Sequence, residues 1–427
     1  MIFKKYFADL ILLLGTNPSH EATMVNARIK KAHKLNKTRI YLVLKTILKA
    51  KYIFHAPTQK DLLIFDGESL HELKNVLHGF NYFVLEVRLR RIKNIYITRK
   101  IIFSILKNFK NNIFSSYLLA VMDELRPKVV FTFIDNSFRF SEFSALRQNK
   151  YKFVALQNGV RYEHKIFNYL LKKNFVSKDI FKFNIPNYFC LSDSVIKDYK
   201  KERQNVKNFT KVGSLRLSNF LYSNKLQLKS RKLNNDILLI SDIYCWDLLL
   251  NKANLPIEEG VAKLIKFNIK FAIENDVKFK LATRNFKNSF ETEKNFYKKI
   301  LNKEEFKFLL KNLLFRSKNY ETYKKMTKSK IVIGTMSTLL RENMFIGGKS
   351  LSCNFTGTNI FDFPISGLCF LKNCDYLEFN KTLKYILRLS YKKYLLKINR
   401  KPNYIIYKDK KETTISLVRS KLKSFLE

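Results

Sequence analysis

The chain is poor in several residues whose shortage is informative. It has one tryptophan, eleven glycines and seven prolines in 427 residues. So little Gly and Pro excludes collagen-like and low-complexity architectures. The five cysteines, Cys190, Cys245, Cys353, Cys369 and Cys374, are scattered. No C-x-x-C and no Cys/His cluster has zinc spacing, so no metal is expected, and the thiols read as reduced groups of a cytoplasmic protein. No run approaches the roughly 18 apolar residues of a transmembrane helix. Residues 1–14 begin like a signal peptide, but Asp9 interrupts the apolar stretch and no small-residue cleavage site follows. Three signatures are absent as well. No G-x-G-x-x-G follows a strand, no G-x-x-x-x-G-K-[ST] occurs, and no G-x-S-x-G elbow is found. NAD, P-loop and hydrolase-elbow chemistry therefore lack support.

Acidic residues are the other shortage: 35 Asp+Glu stand against 81 Lys+Arg, a formal charge of +46. Such an excess points to an anionic partner, either nucleic acid or the anionic face of a membrane. A nucleic-acid binder concentrates its cations in one arm or helix. Here they are spread among Ile, Leu and Phe along the chain, so no nucleic acid is expected. Codon use in an AT-rich genome favours Lys, Asn, Ile and Phe, and accounts for most of the bias. Membrane attraction, with a peripheral position at the inner face of the cytoplasmic membrane, is then its by-product.

With 46% hydrophobic residues, the chain can bury large cores, and its length suits two or three domains. Short β-branched or aromatic runs alternate with helical patterns. DLLIFD (61–66), 82–87, KVVFTFIDNS, KFVALQNG and NYFCLSDS read as strands, with KVGSLR after them. Residues 98–125 carry two helical patterns with a basic face. Residues 38–54 read as one amphipathic helix with lysines between apolar positions, fit for a core or a membrane surface. Residues 222–235 are polar without apolar period, and a second series starts there: DILLISD, a helix over 257–275, KFKLATRN, a helix over 291–313, then SKIVIGTMSTLLRENMFIGGKSLSCNF. Such alternation predicts an α/β protein with parallel sheets covered by helices. The expected divisions are 1–36 as an appended segment, 37–225 and 226–385 as two Rossmann-like domains facing a cleft, and 386–427 as a basic helical tail.

In open parallel sheets ligands sit off the strands' carboxyl ends. In the second half these ends carry Ser241, Arg284 and the run Ser337-Thr338, four residues before Glu342. Ser337 and Thr338 stand where a helix N-cap belongs, which makes an anion site, and Glu342 is placed to hold a ribose. The plainer reading is an ordinary capped helix. In the first half the ends carry Asp66, Asp135, Asn136, Asn158, Arg161 and His164. A carboxylate ending a buried strand is awkward unless used or capped, so Asp135 is the preferred general base and His164 the alternate. Asp66, Asn136, Asn158 and Arg161 are candidates for binding an acceptor.

The blocks FIDN, QNG and ST-x-x-x-E, in this order over about residues 40–385, resemble a family of bacterial surface carbohydrate biosynthesis proteins of the GT-B glycosyltransferase type. That resemblance implies two Rossmann-like domains, a nucleotide-activated sugar as donor substrate, a glycan or glycolipid acceptor, and no obligatory cofactor. It places Ser337, Thr338 and Glu342 in the donor block. A non-catalytic glycan- or membrane-surface-binding protein of the same fold is the alternative. Separately, residues 8–33, with GTNP…EA…NARI, resemble a fragment of the large iron–sulfur subunit of NADH dehydrogenase. None of that subunit's cluster cysteines is present, and no redox function is expected.

Overall fold

A computed structural model describes residues 49–107, 113–173, 181–224, 233–243, 255–317 and 319–427. The segment 1–36 and most of the helix expected over 38–54 lie outside the described residues. The end of that stretch is a strand instead: β1 (Lys51–Ile53) pairs in parallel with a later strand, β4 (Asn94–Tyr96). Tyr52 and Ile53 are β-formers, and the alternation of Lys51-Tyr52 fits a pleated edge as well as a helix turn.

The first large sheet uses β2 (Leu62–Phe65), β3 (Tyr82–Leu85), β5 (Val129–Thr132), β6 (Lys152–Leu156), β7 (Asn184–Cys190) and β8 (Asn205–Lys211). Its order is β3-β2-β5-β6-β7-β8, with every pairing parallel. Both faces must therefore be covered, which explains the continuous apolar runs. In β2, Leu63 and Phe65 enter one core while Leu62 and Ile64 enter the other, as a two-residue period requires. The second sheet uses β9 (Asn235–Ile240), β10 (Phe279–Ala282), β11 (Leu313–Leu314), β12 (Ser329–Gly334), β13 (Lys349–Asn354) and β14 (Phe370–Lys372). Its order is β11-β10-β9-β12-β13-β14, again all parallel. Two Rossmann-like α/β domains in a GT-B-like layout are thus the observed architecture.

Seven helices matter below: α1 (Arg99–Lys107), α2 (Ile113–Leu125), α3 (Leu215–Asn224), α4 (Ile257–Glu274), α5 (Thr338–Phe345), α6 (Tyr376–Arg388) and α7 (Thr414–Leu426). The single helix expected over 291–313 is two, Glu291–Ile300 and Lys303–Lys311, followed by β11. Asn302 and Glu305 form a reciprocal capping box that restarts the helix.

The expected tail is not free. After α6 packs against α4 in the second domain, the chain crosses back to the first. There Val418 and Leu422 of α7 are fully buried in a core shared with Leu62, Ile64 and Phe131. Arg419 Nη1 donates to the carbonyls of Asn75 (3.2 Å), Val76 (2.8 Å) and His78 (2.6 Å), satisfying the frayed end of the one-turn helix Lys74–Leu77. Gly213, at φ +80°, makes room for the crossing: a Cβ there would lie 2.5 Å from the Tyr407 carbonyl oxygen. Leu422→Ala should accordingly cost about 2–5 kcal/mol, as for other buried leucines. The exposed Lys421→Ala should cost little. Denaturant unfolding of both variants checks this, and a Leu422→Ala protein as stable as wild type would return α7 to the status of a tail.

Candidate functional site

Each sheet reverses its winding direction once, and the helices on either side of that point diverge, leaving a crevice at the carboxyl edge. In the second sheet the reversal lies between β9 and β12. Asp242 follows β9, and its Oδ2 accepts the N–H groups of Thr335 (2.6 Å) and Met336 (3.2 Å) in the loop after β12. Gly334 permits this approach, since a Cβ on it would lie 3.1 Å from that oxygen. Burial pushes the Asp242 carboxyl up to about 6, against the pull of the two backbone donors. Ser241 lies behind it: the Tyr297 hydroxyl bridges Ser241 Oγ (3.0 Å) and Glu293 Oε1 (2.6 Å). Glu293 in turn accepts the backbone N–H groups of Arg284 (3.3 Å) and Asn285 (3.1 Å), fixing the loop that carries Arg284.

The two carboxyl edges meet. Ser337 caps α5 by accepting from Leu339 N at 3.3 Å. Thr338 reaches the other domain, where its Oγ1 accepts Val160 N–H at 2.9 Å. Glu342, almost fully buried, accepts hydroxyl hydrogen bonds from Ser214 of the first domain and Tyr323 (3.0 Å) of the second. Burial raises its carboxyl above the ordinary range, with both hydroxyls opposing. In this arrangement Glu342 faces the seam between the domains, and protein groups take its lone pairs.

The first-domain candidates divide into separate networks. Asp135 is 1% exposed and holds four donor groups: Arg161 Nε (3.1 Å) and Nη2, Tyr188 OH (2.8 Å) and Asn158 N (3.3 Å). Arg161 Nη2 also donates to Asn158 Oδ1. Asn136 donates to Glu163 at 2.8 Å. Together these contacts brace the loop after β6 that meets Thr338. Asp66 is buried at φ 71° and paired with Arg88 Nε at 2.9 Å. His164 is fully buried, with Nε2 3.2 Å from Asp198 Oδ2 and its ring 4.8 Å from that of Tyr199.

Two residues that sequence reasoning passed over complete the crevice. Arg216 opens α3 in the first domain, and Arg316 follows β11 in the second. Burial, then the fields of Arg216 and Arg284, hold the Arg316 guanidinium below its usual range, with Glu72 as the one opposing charge. Arg216 Nε lies 3.4 Å from Glu72 Oε1, and Tyr320 OH donates to Glu72 Oε2 at 3.2 Å. Three guanidinium groups from two domains therefore share the crevice with Glu72, while Glu342 lies in the field of Arg216 and Asp242 in that of Arg284. Such a cluster is an anion site in the making. Among the described residues, no group of three or more His, Cys, Asp or Glu gathers where a metal ion could be held.

No protein-family model matches the chain, and no curated protein matches it. The resemblance of residues 8–33 to the NADH dehydrogenase fragment, which lies outside the described residues, finds no support there. Solved structures with a similar layout include the UDP-GlcNAc 2-epimerase of Methanocaldococcus jannaschii in complex with UDP-GlcNAc and UDP, at 11% identity over 85% of this chain and 99% of that one, with a TM-score of 0.47. A sucrose-phosphate synthase from Thermosynechococcus elongatus matches at 11% identity over 88% and 95%, with a TM-score of 0.41. A glycosyltransferase from Rickettsia africae ESF-5 matches at 11% over 86% and 98%, with a TM-score of 0.41. None of the three reaches a TM-score of 0.5, and the two-domain layout rests on the strand pairings above.

Asp242 supplies a pH test. Its carboxyl is pushed up from 3.8 to about 6, so the folded state holds its proton more tightly than the unfolded one. The corresponding stability is full below about pH 4 and lost as pH rises through about 6, a change of about 3 kcal/mol. Asp242→Asn lacks this component. The difference in unfolding free energy between variant and wild type should shift by that amount in the variant's favour from pH 4 to pH 7. Parallel pH profiles would show that Asp242 is ionised in place.

Proposed function

We propose that the chain is a glycosyltransferase that moves a sugar from a nucleotide-activated donor to a surface polysaccharide or glycolipid acceptor. The placement of Arg216 at the start of α3, with Arg284 after β10 and Arg316 after β11 near enough to act on one another's charge, carries this reading. In such a transfer the acceptor oxygen bonds to the anomeric carbon, the bond from that carbon to the phosphate oxygen breaks, and a nucleoside diphosphate leaves with added negative charge. Fixed cations where that charge develops lower the barrier, and the N-terminus of α5 at Ser337 adds its dipole. The arginines supply the charge, so no obligatory cofactor enters the proposal.

The first domain's edge, with Asn136 and Asn158 in its loops, takes the acceptor side. Asp135 would have to release Arg161 before accepting a proton. Asp242 is better matched: its carboxyl is pushed up to about 6, and its Oδ1 makes no hydrogen bond among the described residues. We therefore place Asp242 as the base and Asp135 as the brace of the loop after β6. Glu342 and Thr338 enter the donor site only if the seam opens on binding. Their engagement between the domains is the observation that favours the alternative, a glycan- or membrane-surface-binding protein without turnover.

Calorimetry with nucleosides, nucleoside diphosphates and nucleotide sugars tests the donor reading. Arg316→Gln removes charge-assisted hydrogen bonds and should weaken diphosphate binding about ten- to a hundredfold, with nucleoside binding unchanged. Equal diphosphate affinity in wild type and variant would remove the arginine cluster from the site. Asp242→Asn should leave diphosphate affinity within a few-fold and reduce turnover about a hundredfold or more. Full turnover by Asp242→Asn would return the base to the first domain. Tight nucleotide binding without turnover on any acceptor would favour the binding-protein alternative.

A further inference from the structure

One stretch away from the crevice lacks acidic residues altogether. From Val87 to Met122 the chain has no Asp or Glu and eight Lys or Arg. Within that stretch lies α1, which lies against α2. Ile101 is buried and Ile105 packs against the first domain's core, so one side of α1 is anchored. Ile102, Phe103 and Leu106, at positions i, i+1 and i+4, share the neighbouring face and point outward, with Phe103 76% exposed. Helical spacing puts Arg99 within the arc of that apolar stripe, and Lys100 and Lys107 along its outer border. Just before the helix, Ile97 N bonds to the Ile53 carbonyl at 2.8 Å, which brings the 75% exposed Phe54 beside the helix start.

The cations here divide into paired and unpaired groups. Arg88 and Arg91 pair with Asp66, Glu68 and Glu86, and Lys100 lies 3.8 Å from Glu124. Lys51, Lys93, Arg99 and Lys107 form no ion pair among the described residues. An exposed apolar stripe with the unpaired Arg99 in its arc and Lys107 on its border, on an anchored helix, suits an interface that is apolar below and anionic above. Lipid headgroups over acyl chains have that profile; an ordinary protein groove does not supply its rim of negative charge. We infer that α1, with Phe54 beside it, is the surface by which the first domain docks on an anionic lipid bilayer.

This surface is separate from the nucleotide crevice and can be tested without it. The full chain is sedimented with vesicles of phosphatidylcholine alone, and of phosphatidylcholine mixed with phosphatidylglycerol. It should partition onto the mixed vesicles and be released as salt shortens the screening length. Phe103→Ser should lower the partition coefficient more than tenfold, and Lys107→Glu about fivefold. Both side chains are exposed, so unfolding midpoints and nucleotide affinity should match wild type. Phe103→Trp should show blue-shifted emission on mixed vesicles only. Equal partitioning of Phe103→Ser and wild type would overturn the inference, as would equal binding to neutral vesicles. So would a wild-type dimer that Phe103→Ser dissociates while vesicle binding stays absent, since the face would then belong to a second copy of the chain.

Discussion

A single buried carboxylate sets how the two domains meet. Glu342 sits at the seam with no cation in hydrogen-bonding reach, and it is satisfied by one hydroxyl from each domain, Ser214 and Tyr323. Leaving such a group short of a partner costs about 1–3 kcal/mol or more, so the seam has little freedom to slide while it stays closed. The Thr338–Val160 hydrogen bond lies one helical turn away and fixes the same register. The convergence of the arginines depends on this docking. Arg216 comes from the first domain, beside Ser214, and Arg284 and Arg316 come from the second. Domains held by Glu342 bring together three like charges that no isolated domain would gather.

The same docking gives the acidic groups distinct tasks. Asp135, saturated by a guanidinium and a tyrosine hydroxyl, stiffens the loop that meets Thr338. Asp242 has only backbone donors and deep burial, so its proton is held more tightly than in a free carboxyl. Glu72 partly offsets the arginines without neutralising them. One kind of side chain thus ends as a brace, as a carboxyl that holds its proton tightly, and as a counter-charge, according to which partners the fold delivers. The lysines and arginine around α1 belong to a different surface, bordered by exposed apolar groups.

Much of the layout was legible in the sequence, because buried parallel strands must be continuous apolar runs and the helices between them must cover both faces. DLLIFD, KVVFTFI, DILLIS and SKIVIG all became central strands for that reason. What failed was partnership across long separations. Asp135 looked like a base because it ends a buried strand, and nothing local showed that Arg161 and Tyr188 would close on it. Glu342 lies one turn into a helix whose N-terminus faces a crevice, yet its partner Ser214 is 128 positions away in the chain. Arg216 and Arg316 have no local signal: β8 is a half-exposed edge strand without a continuous apolar run, and the strand before Arg316 is only two residues long. The lysines of α7 read as a tail because their apolar partners belong to the first sheet.

The central claim is that the arginines of both domains form the seat of a diphosphate. A crystal structure of the chain with a bound nucleoside diphosphate tests it most directly. The account predicts both phosphates at the carboxyl edge of the second sheet, with Arg316 and at least one of Arg216 and Arg284 in hydrogen-bonding distance and the base lodged in the second domain. Phosphates found at the Asp66 end of the first sheet, or a nucleotide bound with all three guanidiniums turned away, would contradict it.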